Sequence, residues 1–368
     1  MRPIDVLVVL PSLAQGGAER VAVNHLDALH RAGERVRLVL TDGTGVEPLR
    51  SVLDPAIPVT AIGRPRVRDA LRPLVGLVRR DPADVILATH THVNLALCAA
   101  RTFLPRSTRL VLREPTHAPH VLDGRSTRSR RLAQRALYRR ADLVLATSTV
   151  MEQDLRRLVG DRVAITPNPV DVAAIRATVT TSHVTRAVTG RRFVTVGRLD
   201  SQKSLPDLVR AFAEGTAEDD ELVLIGDGPM RDDVLTLAGE LGIADRVRLA
   251  GHLAEPWSEV ASADGFLLAS RAEGMPNAVL ESLAVGTPVI ATDELSVLED
   301  VRSEAADGAV TLVPRDRLAE AIGEVRRSDE HDGSAPLASL LPDRFDAPVA
   351  TAALRDRLRR LVLGPDGT

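Results

Sequence analysis

The chain has 368 residues, a length that suits two α/β domains better than one. Hydrophobic residues make up 44% and charged residues 26%, which excludes disorder as the main state. The 47 basic and 50 acidic side chains give a net charge of −3, so there is no polyanion footprint and nucleic acid is not an expected partner.

The first residues, Met1-Arg2-Pro3, lead into an apolar run at Ile4–Leu10 that Asp5 interrupts. The run is too short for a signal-peptide core. No stretch approaches the roughly 20 apolar residues that span a bilayer. The single cysteine, Cys98, allows neither an intrachain disulfide nor a cysteine-built zinc site. A reducing, cytoplasmic setting is expected, with at most peripheral contact at the inner membrane face.

Short apolar runs alternate with amphipathic stretches along the chain. Strands are expected at Ile4–Leu10, Val36–Leu40, Val85–His90, Arg109–Glu114, Leu143–Thr147 and Val163–Pro167, and helices near 18–32, 69–80, 93–103, 126–140 and 149–159. A second series has strands at Phe193–Gly197, Leu222–Gly226, Val247–Gly251, Gly265–Ala269, Pro288–Ala291 and Val310–Pro314, with helices near 205–214, 230–241, 276–285 and 316–327. Strands separated by helices of 10–15 residues form βαβ units and parallel sheets. The expected organisation is therefore α/β, with two doubly wound Rossmann-like domains at 1–171 and 191–345. Residues 172–190 read as a linker, because Thr178–Thr189 is polar and weakly periodic. A last amphipathic helix is expected near 349–362. In paired domains of this kind a ligand sits in the cleft facing the carboxyl ends of both sheets.

Three loops carry the candidate chemistry. In the first βα turn, Gly16 and Gly17 let backbone approach a ligand where the helix end favours an anion. The spacing is not that of the dinucleotide fingerprint. Opening the second domain, Arg198 and Lys203 follow a strand and suit a diphosphate; Lys203 is the only lysine of the chain. Ser204 is placed to cap the next helix, with Asp207 three residues on. The third loop, Glu273-Gly274-Met275-Pro276-Asn277-Ala278-Val279-Leu280-Glu281, puts proline at a helix start. The N–H groups of Asn277, Ala278 and Val279 would point out of that helix end. On spacing alone, Glu273 before it and Glu281 within it suit either the helix dipole and solvent or the vicinal hydroxyls of a sugar and a ribose. Two smaller turns follow strands: Gly226-Asp227-Gly228-Pro229 reads as turn chemistry, and Gly251-His252-Leu253 offers backbone groups to a base edge.

These features together resemble the retaining glycosyltransferases of family 4, which have the GT-B fold. The matching segments are Gly16-Gly17-Ala18-Glu19-Arg20, Thr166-Pro167-Asn168-Pro169-Val170-Asp171, Gly197-Arg198-Leu199 with Lys203, Ile225-Gly226-Asp227-Gly228-Pro229, Gly251-His252, and Glu273 with Glu281. The resemblance implies a nucleotide-diphospho-sugar donor, with UDP the favoured nucleotide, and a hydroxyl acceptor on a glycan, a lipid-linked glycan or a small molecule. It implies transfer of a hexosyl or N-acetylhexosaminyl group with retention, without a metal or other cofactor. Arg198 and Lys203 would neutralise the leaving diphosphate, Glu273 would hold the donor sugar, and Glu281 the ribose. Gly17 would approach the diphosphate, the Asn277–Val279 amides the sugar and phosphate, and Leu253 the base. It also implies that the last helix, about 346–364, packs back on the first domain. Where many members carry an acceptor-side histidine, this chain has Glu114, with His117 and His92 as further acceptor-side candidates.

Two other readings use the same residues. His90, His92, His117 and His120 could form the ligand set of a metal-dependent hydrolase, although neither HExxH nor an added Asp cluster is present. A nucleotide-sugar epimerase shares the fold. Separately, Arg125–Arg140 carries seven arginines with interleaved Leu132, Ala136, Leu137 and Tyr138. It reads either as a solvated face or as a dock for anionic lipid.

Overall fold

Runs such as Asp5–Leu10 and Glu221–Ile225 are apolar on alternate residues of both parities, which suits strands covered by helices on both faces. A computed structural model describes residues 2–14, 16–43, 48–115, 125–181, 189–327 and 336–364, excluding the side chains of 125–130 and 180–181. These residues form two units, one of residues 1–169 with 344–368 and one of residues 170–343.

In the first unit the order is β1 (Asp5–Leu10), α1 (Gly17–Arg31), β2 (Arg35–Leu40), β3 (Val59–Ala61), α2 (Val67–Arg80), β4 (Val85–Ala88), α3 (Thr91–Ala99), β5 (Arg109–Arg113), α4 (Arg125–Leu137), β6 (Leu143–Ala146), α5 (Thr149–Val159) and β7 (Val163–Ile165). The sheet order is β3-β2-β1-β4-β5-β6-β7, and each described pairing is parallel. Because side chains alternate across a strand, β1 feeds two cores. Val6, Val8 and Leu10 pack with Leu26 and Leu29 of α1. Leu7 and Val9 pack with Leu74, Leu97 and Leu155 on the other face. Cys98 lies in that second core, where burial pushes its thiol up to about 12.

The second unit contains α6 (Val172–Thr181), β8 (Arg192–Val196), α7 (Leu205–Gly215), β9 (Glu221–Ile225), α8 (Arg231–Glu240), β10 (Val247–Gly251), α9 (Trp257–Ala261), β11 (Gly265–Leu268), α10 (Asn277–Ala284), β12 (Val289–Thr292), α11 (Glu299–Arg302), β13 (Val310–Val313) and α12 (Leu318–Gly323). Its parallel sheet has the order β10-β9-β8-β11-β12-β13. Both sheets therefore reverse strand order next to their first strand, at β1/β4 and at β8/β11. Ligands of doubly wound sheets bind outside the carboxyl ends of the strands at such a reversal.

Two local differences from the sequence reading have simple causes. Part of the expected linker is helix α6, which belongs to the second unit. Asp171 caps it by accepting from the Ala174 N–H at 3.0 Å, and Arg176 ties it to the Ala284 carbonyl at 3.1 Å. Residues 182–188 of that linker lie outside the described residues. Strand β3 is a three-residue, mostly exposed edge, too short to register as a period. Helix α2 covers the stretch expected near 69–80, with Pro73 inside it.

After the second unit the chain returns as α13 (Ala347–Leu363), whose Leu354 and Leu358 complete the α1 core of the first unit. Arg359 donates to Glu34 at 2.8 Å, and the other Glu34 oxygen accepts from the Ile4 N–H at 2.7 Å. This triad is buried, so removing either charge would leave the other unpaired.

His25 of α1 lies under α13, with Nδ1 3.4 Å from the Thr351 hydroxyl and no partner for Nε2. Burial first, and the charge of Arg113 second, push its pKa down from 6.5 to about 3. Folded His25 is thus neutral where the unfolded chain would bind a proton. Stability is unaffected above the unfolded pKa and falls as pH drops below it. Between pH 7 and pH 5 this residue should cost about 2 kcal/mol. Denaturation midpoints at both pH values should show that loss in the parent chain and a smaller one in His25→Gln; parallel losses would contradict the assignment.

Candidate functional site

The reversal at β8/β11 collects the second unit's site. β8 ends at Val196 and runs into Gly197, Arg198 and Leu199, followed by a single 3-10 turn at Ser201–Lys203. Leu199 is buried and anchors the loop. β11 ends at Leu268, and its loop carries Glu273 to the start of α10. The two loops are laced together. Gln202 donates to the Ala272 carbonyl at 2.7 Å, and the Arg271 N–H donates to the Gln202 carbonyl at 2.9 Å. Lys203 Nζ meets Glu273 Oε1 at 2.7 Å, with the two side chains only 19% and 13% exposed. The sequence reading gave these two residues separate tasks, and the structure joins them as an ion pair.

Ser204 occupies the N-cap position of α7 but does not cap it. Its backbone is left-handed, φ 47°, and its hydroxyl accepts from Arg271 Nε at 3.0 Å. Among the described residues it is the one non-glycine with positive φ, a strained conformation beside the charged pair. Asp207, its expected capping partner, bonds Arg315 at 3.0 Å instead.

Arg198 does not join Lys203. Its guanidinium is 74% exposed, and Asp200, 4.0 Å away, is its nearest ion partner. Glu281 is buried in the second turn of α10. The expected trio of outward amides is reduced, because the Val279 N–H donates to the Pro276 carbonyl at 3.0 Å; Asn277 and Ala278 remain at the helix start. Leu253 is half-buried in the loop after β10. The Gly226-Asp227-Gly228 turn serves the backbone, as expected. A Cβ on Gly226 would lie 1.9 Å from the Gly197 carbonyl oxygen, and Leu199 N–H donates to the Asp227 carbonyl at 3.0 Å. These glycines let the β9 turn press against the Lys203 loop.

The first unit presents a second constellation at β1/β4. Gly16 caps α1, and Glu19 folds back over it; a Cβ on Gly16 would lie 2.2 Å from Glu19 Oε2. Glu19 Oε1 bonds His90 Nε2 at 3.0 Å. Burial raises the Glu19 carboxyl, but the bond and charge of His90 outweigh it, so its pKa is lowered. His92 is exposed, with its ring 5.7 Å from that of His90 and edge-on. Burial and His90 lower its pKa against a smaller opposing effect of Glu19.

Glu114 is buried, and both of its oxygens are engaged. Thr91 donates to Oε1, and Tyr138 (2.6 Å) and Gln134 (3.3 Å) donate to Oε2. Burial and this carboxylate push the Tyr138 phenol up. Glu114 therefore links α3 and α4 from inside the unit. Neighbouring Arg113, lowered by burial to about 10, donates to Asn168 of the Thr166–Asp171 segment.

Among the described residues no three His, Cys, Asp or Glu side chains stand together as a metal site, and His90 is committed to Glu19. His117 and His120 lie outside the described residues. No described helix is long and apolar enough to cross a membrane. On α4, Gln134 is buried while Leu132 and Arg135 are exposed, and Arg139 and Arg140 follow as exposed residues.

Comparison with known proteins agrees with this geometry. Residues 15–174 match Glycosyltransferase Family 4, and residues 190–327 match Glycosyl transferases group 1. One relative is the N-acetylgalactosamine-N,N'-diacetylbacillosaminyl-diphospho-undecaprenol 4-alpha-N-acetylgalactosaminyltransferase of Campylobacter jejuni. It is 27% identical over 343 residues, covering 85% of this chain and 91% of the relative. The lipopolysaccharide 1,6-galactosyltransferase of Salmonella typhimurium is 34% identical over a shorter stretch, 32% of this chain and 34% of that protein. Among solved structures, Anabaena Alr3699/HepE in complex with UDP and glucose superposes with a TM-score of 0.75 at 18% identity, covering 96% of this chain and 99% of that one. The apo lipopolysaccharide outer core galactosyltransferase WaaB gives 0.68 at 19% identity, over 98% and 99%. The chain belongs to the group 1 glycosyl transferases of glycosyltransferase family 4 and has the GT-B fold.

Proposed function

We propose that the protein is a retaining transferase that moves a hexosyl or N-acetylhexosaminyl group from a UDP-sugar to a hydroxyl of a glycosylated, lipid-linked acceptor. The observation that carries this reading is the Lys203–Glu273 pair at the β8/β11 reversal. A cation and a carboxylate held in contact there are a matched set for the two ends of a sugar diphosphate. When the diphosphate arrives, Lys203 leaves Glu273 for the phosphate, and Glu273 accepts from donor-sugar hydroxyls. Glu281 takes the ribose hydroxyls, and Leu253 borders the base. The Asn277 and Ala278 backbone at the start of α10 offers the close approach that a phosphate needs.

As the glycosidic bond breaks, negative charge grows on the leaving diphosphate. Lys203, with exposed Arg198 as a second cation, stabilises that charge more than it stabilises bound donor. These two cations supply the charge a metal would otherwise provide. Retention rests on the family resemblance. The lipid-linked acceptor is supported by the diphospho-undecaprenol named for the Campylobacter relative. Exposed Leu132, Arg135, Arg139 and Arg140 support peripheral contact with anionic lipid in the same reading.

Activity is tested with UDP-glucose, UDP-galactose, UDP-N-acetylglucosamine and UDP-N-acetylgalactosamine as donors. Acceptors are an N-acetylhexosaminyl-diphospho-undecaprenol in detergent and a free N-acetylhexosamine disaccharide. One donor should give a product of retained anomeric configuration by NMR, with or without EDTA. Lys203→Ala should lower kcat about 100-fold, as expected for a lost transition-state charge. Glu281→Ala should raise the donor KM about tenfold, as for one charge-assisted hydrogen bond. Unchanged kinetics in both variants would contradict the assignment.

The ion pair also predicts an unusual binding result. UDP must compete with Glu273 for Lys203, so apparent affinity is reduced by the paired fraction. Glu273→Gln should bind UDP several-fold more tightly by calorimetry while its transfer rate falls. Weaker UDP binding in this variant would show that the carboxylate does not mask the lysine.

A further inference from the structure

Glu19 and His90 are 71 residues apart, and neither has a task in the reading above, yet they meet at the first unit's strand-order reversal. We propose that they are positioning residues for the transfer, fastening the glycine loop to the N-terminus of α3 and so fixing where His92 meets the acceptor hydroxyl. The inference rests on the glycosyltransferase reading.

Gly16 and Gly17 themselves carry no side chains to hold the end of the loop, so their position depends on neighbouring groups. Glu19 is one such group, in the first turn of α1, with one carboxylate oxygen folded over Gly16 and the other on His90. The His90 and Glu19 side chains are only 16% and 14% exposed, so water competes weakly for the contact. His90 Nδ1 lies 3.3 Å from the hydroxyl of buried Thr89. Both ring nitrogens are therefore occupied, and His90 is a strut rather than a ligand-binding group. The next residue, Thr91, is held by Glu114, which Tyr138 and Gln134 hold in turn. Residues 89–91 are thus fastened one after another, and the following side chain, His92, is the exposed one.

His92 stands on the first turn of α3, where the positive end of the helix disfavours an imidazolium. Burial and His90 act in the same direction against Glu19. A neutral imidazole retains a lone pair that accepts a hydrogen bond from an incoming hydroxyl. Small displacements of such a group are costly, since misplacement by about 1 Å is enough to lower rates about 100-fold.

The test compares Glu19→Ala, His90→Ala, the double variant, His90→Gln and His92→Ala, using whichever donor and acceptor of the panel above turn over fastest. Glu19→Ala and His90→Ala should each lower kcat/KM for the acceptor at least about tenfold, with donor KM within about twofold of the parent. His92→Ala should do the same. The double variant should be no worse than the poorer single one, because both break one contact. His90→Gln, which keeps a donor towards Glu19, should recover most of the loss. If the alanine variants melt early, His90→Phe, which fills the space without a hydrogen bond to Glu19, should show the loss that His90→Gln does not. Additive losses, unchanged acceptor kinetics, or a loss confined to donor KM would overturn this inference while leaving the transfer reading intact. A parent chain that binds no UDP by calorimetry and turns over no donor would overturn both.

Discussion

The contact between Lys203 and Glu273 depends on the strand order of the second sheet. Seventy residues separate them, and they meet because β8 and β11 are parallel neighbours whose carboxyl ends finish side by side. Two hydrogen bonds between their loops then fix the approach to 2.7 Å. The Gly226 turn supports the arrangement from the other side by pressing into the Gly197 carbonyl. The ion pair is largely screened from water, so each charge needs a partner at all times. A phosphate that takes the lysine must therefore be accompanied by hydroxyls for the carboxylate. A nucleotide sugar brings both in one molecule, which is why we propose that ligand for the pair rather than a simple anion.

The first unit uses the same topological position for a different purpose. Its reversal gathers a carboxylate–imidazole contact, with the buried Glu114 nearby. Glu114 and His90 both bond at the start of α3. In the proposed function the acceptor side would be built by fixing a helix end, and the donor side from a charge pair that the diphosphate displaces.

Much of this was legible in the sequence. The strand–helix alternation identified two parallel sheets because buried strands are continuous apolar runs bounded by loops. The positions of Lys203, Glu273 and Glu281 could be assigned because glycine and proline mark where loops end and α10 begins. Pair contacts were not legible. Glu19 with His90, and Glu114 with Tyr138, arise from strand order and side-chain reach, which linear spacing does not encode. Ser204 was placed correctly at a helix start, but its hydroxyl went to Arg271, a residue brought near only by the sheet. The Thr-rich segment after Asp171 looked like linker by propensity, yet a capping aspartate and the tertiary bonds of Arg176 make its first part helical.

The sole lysine of the chain offers a direct measurement. Reductive methylation with carbon-13 formaldehyde keeps the charge and labels only Lys203 and the terminal amine, so NMR follows a single ε-ammonium. Titration with UDP should shift the Lys203 resonance with saturation, and uridine at the same concentration should leave it in place. A Lys203 resonance indifferent to UDP, or one that moves equally with uridine, would contradict the claim that this lysine exchanges Glu273 for a donor diphosphate.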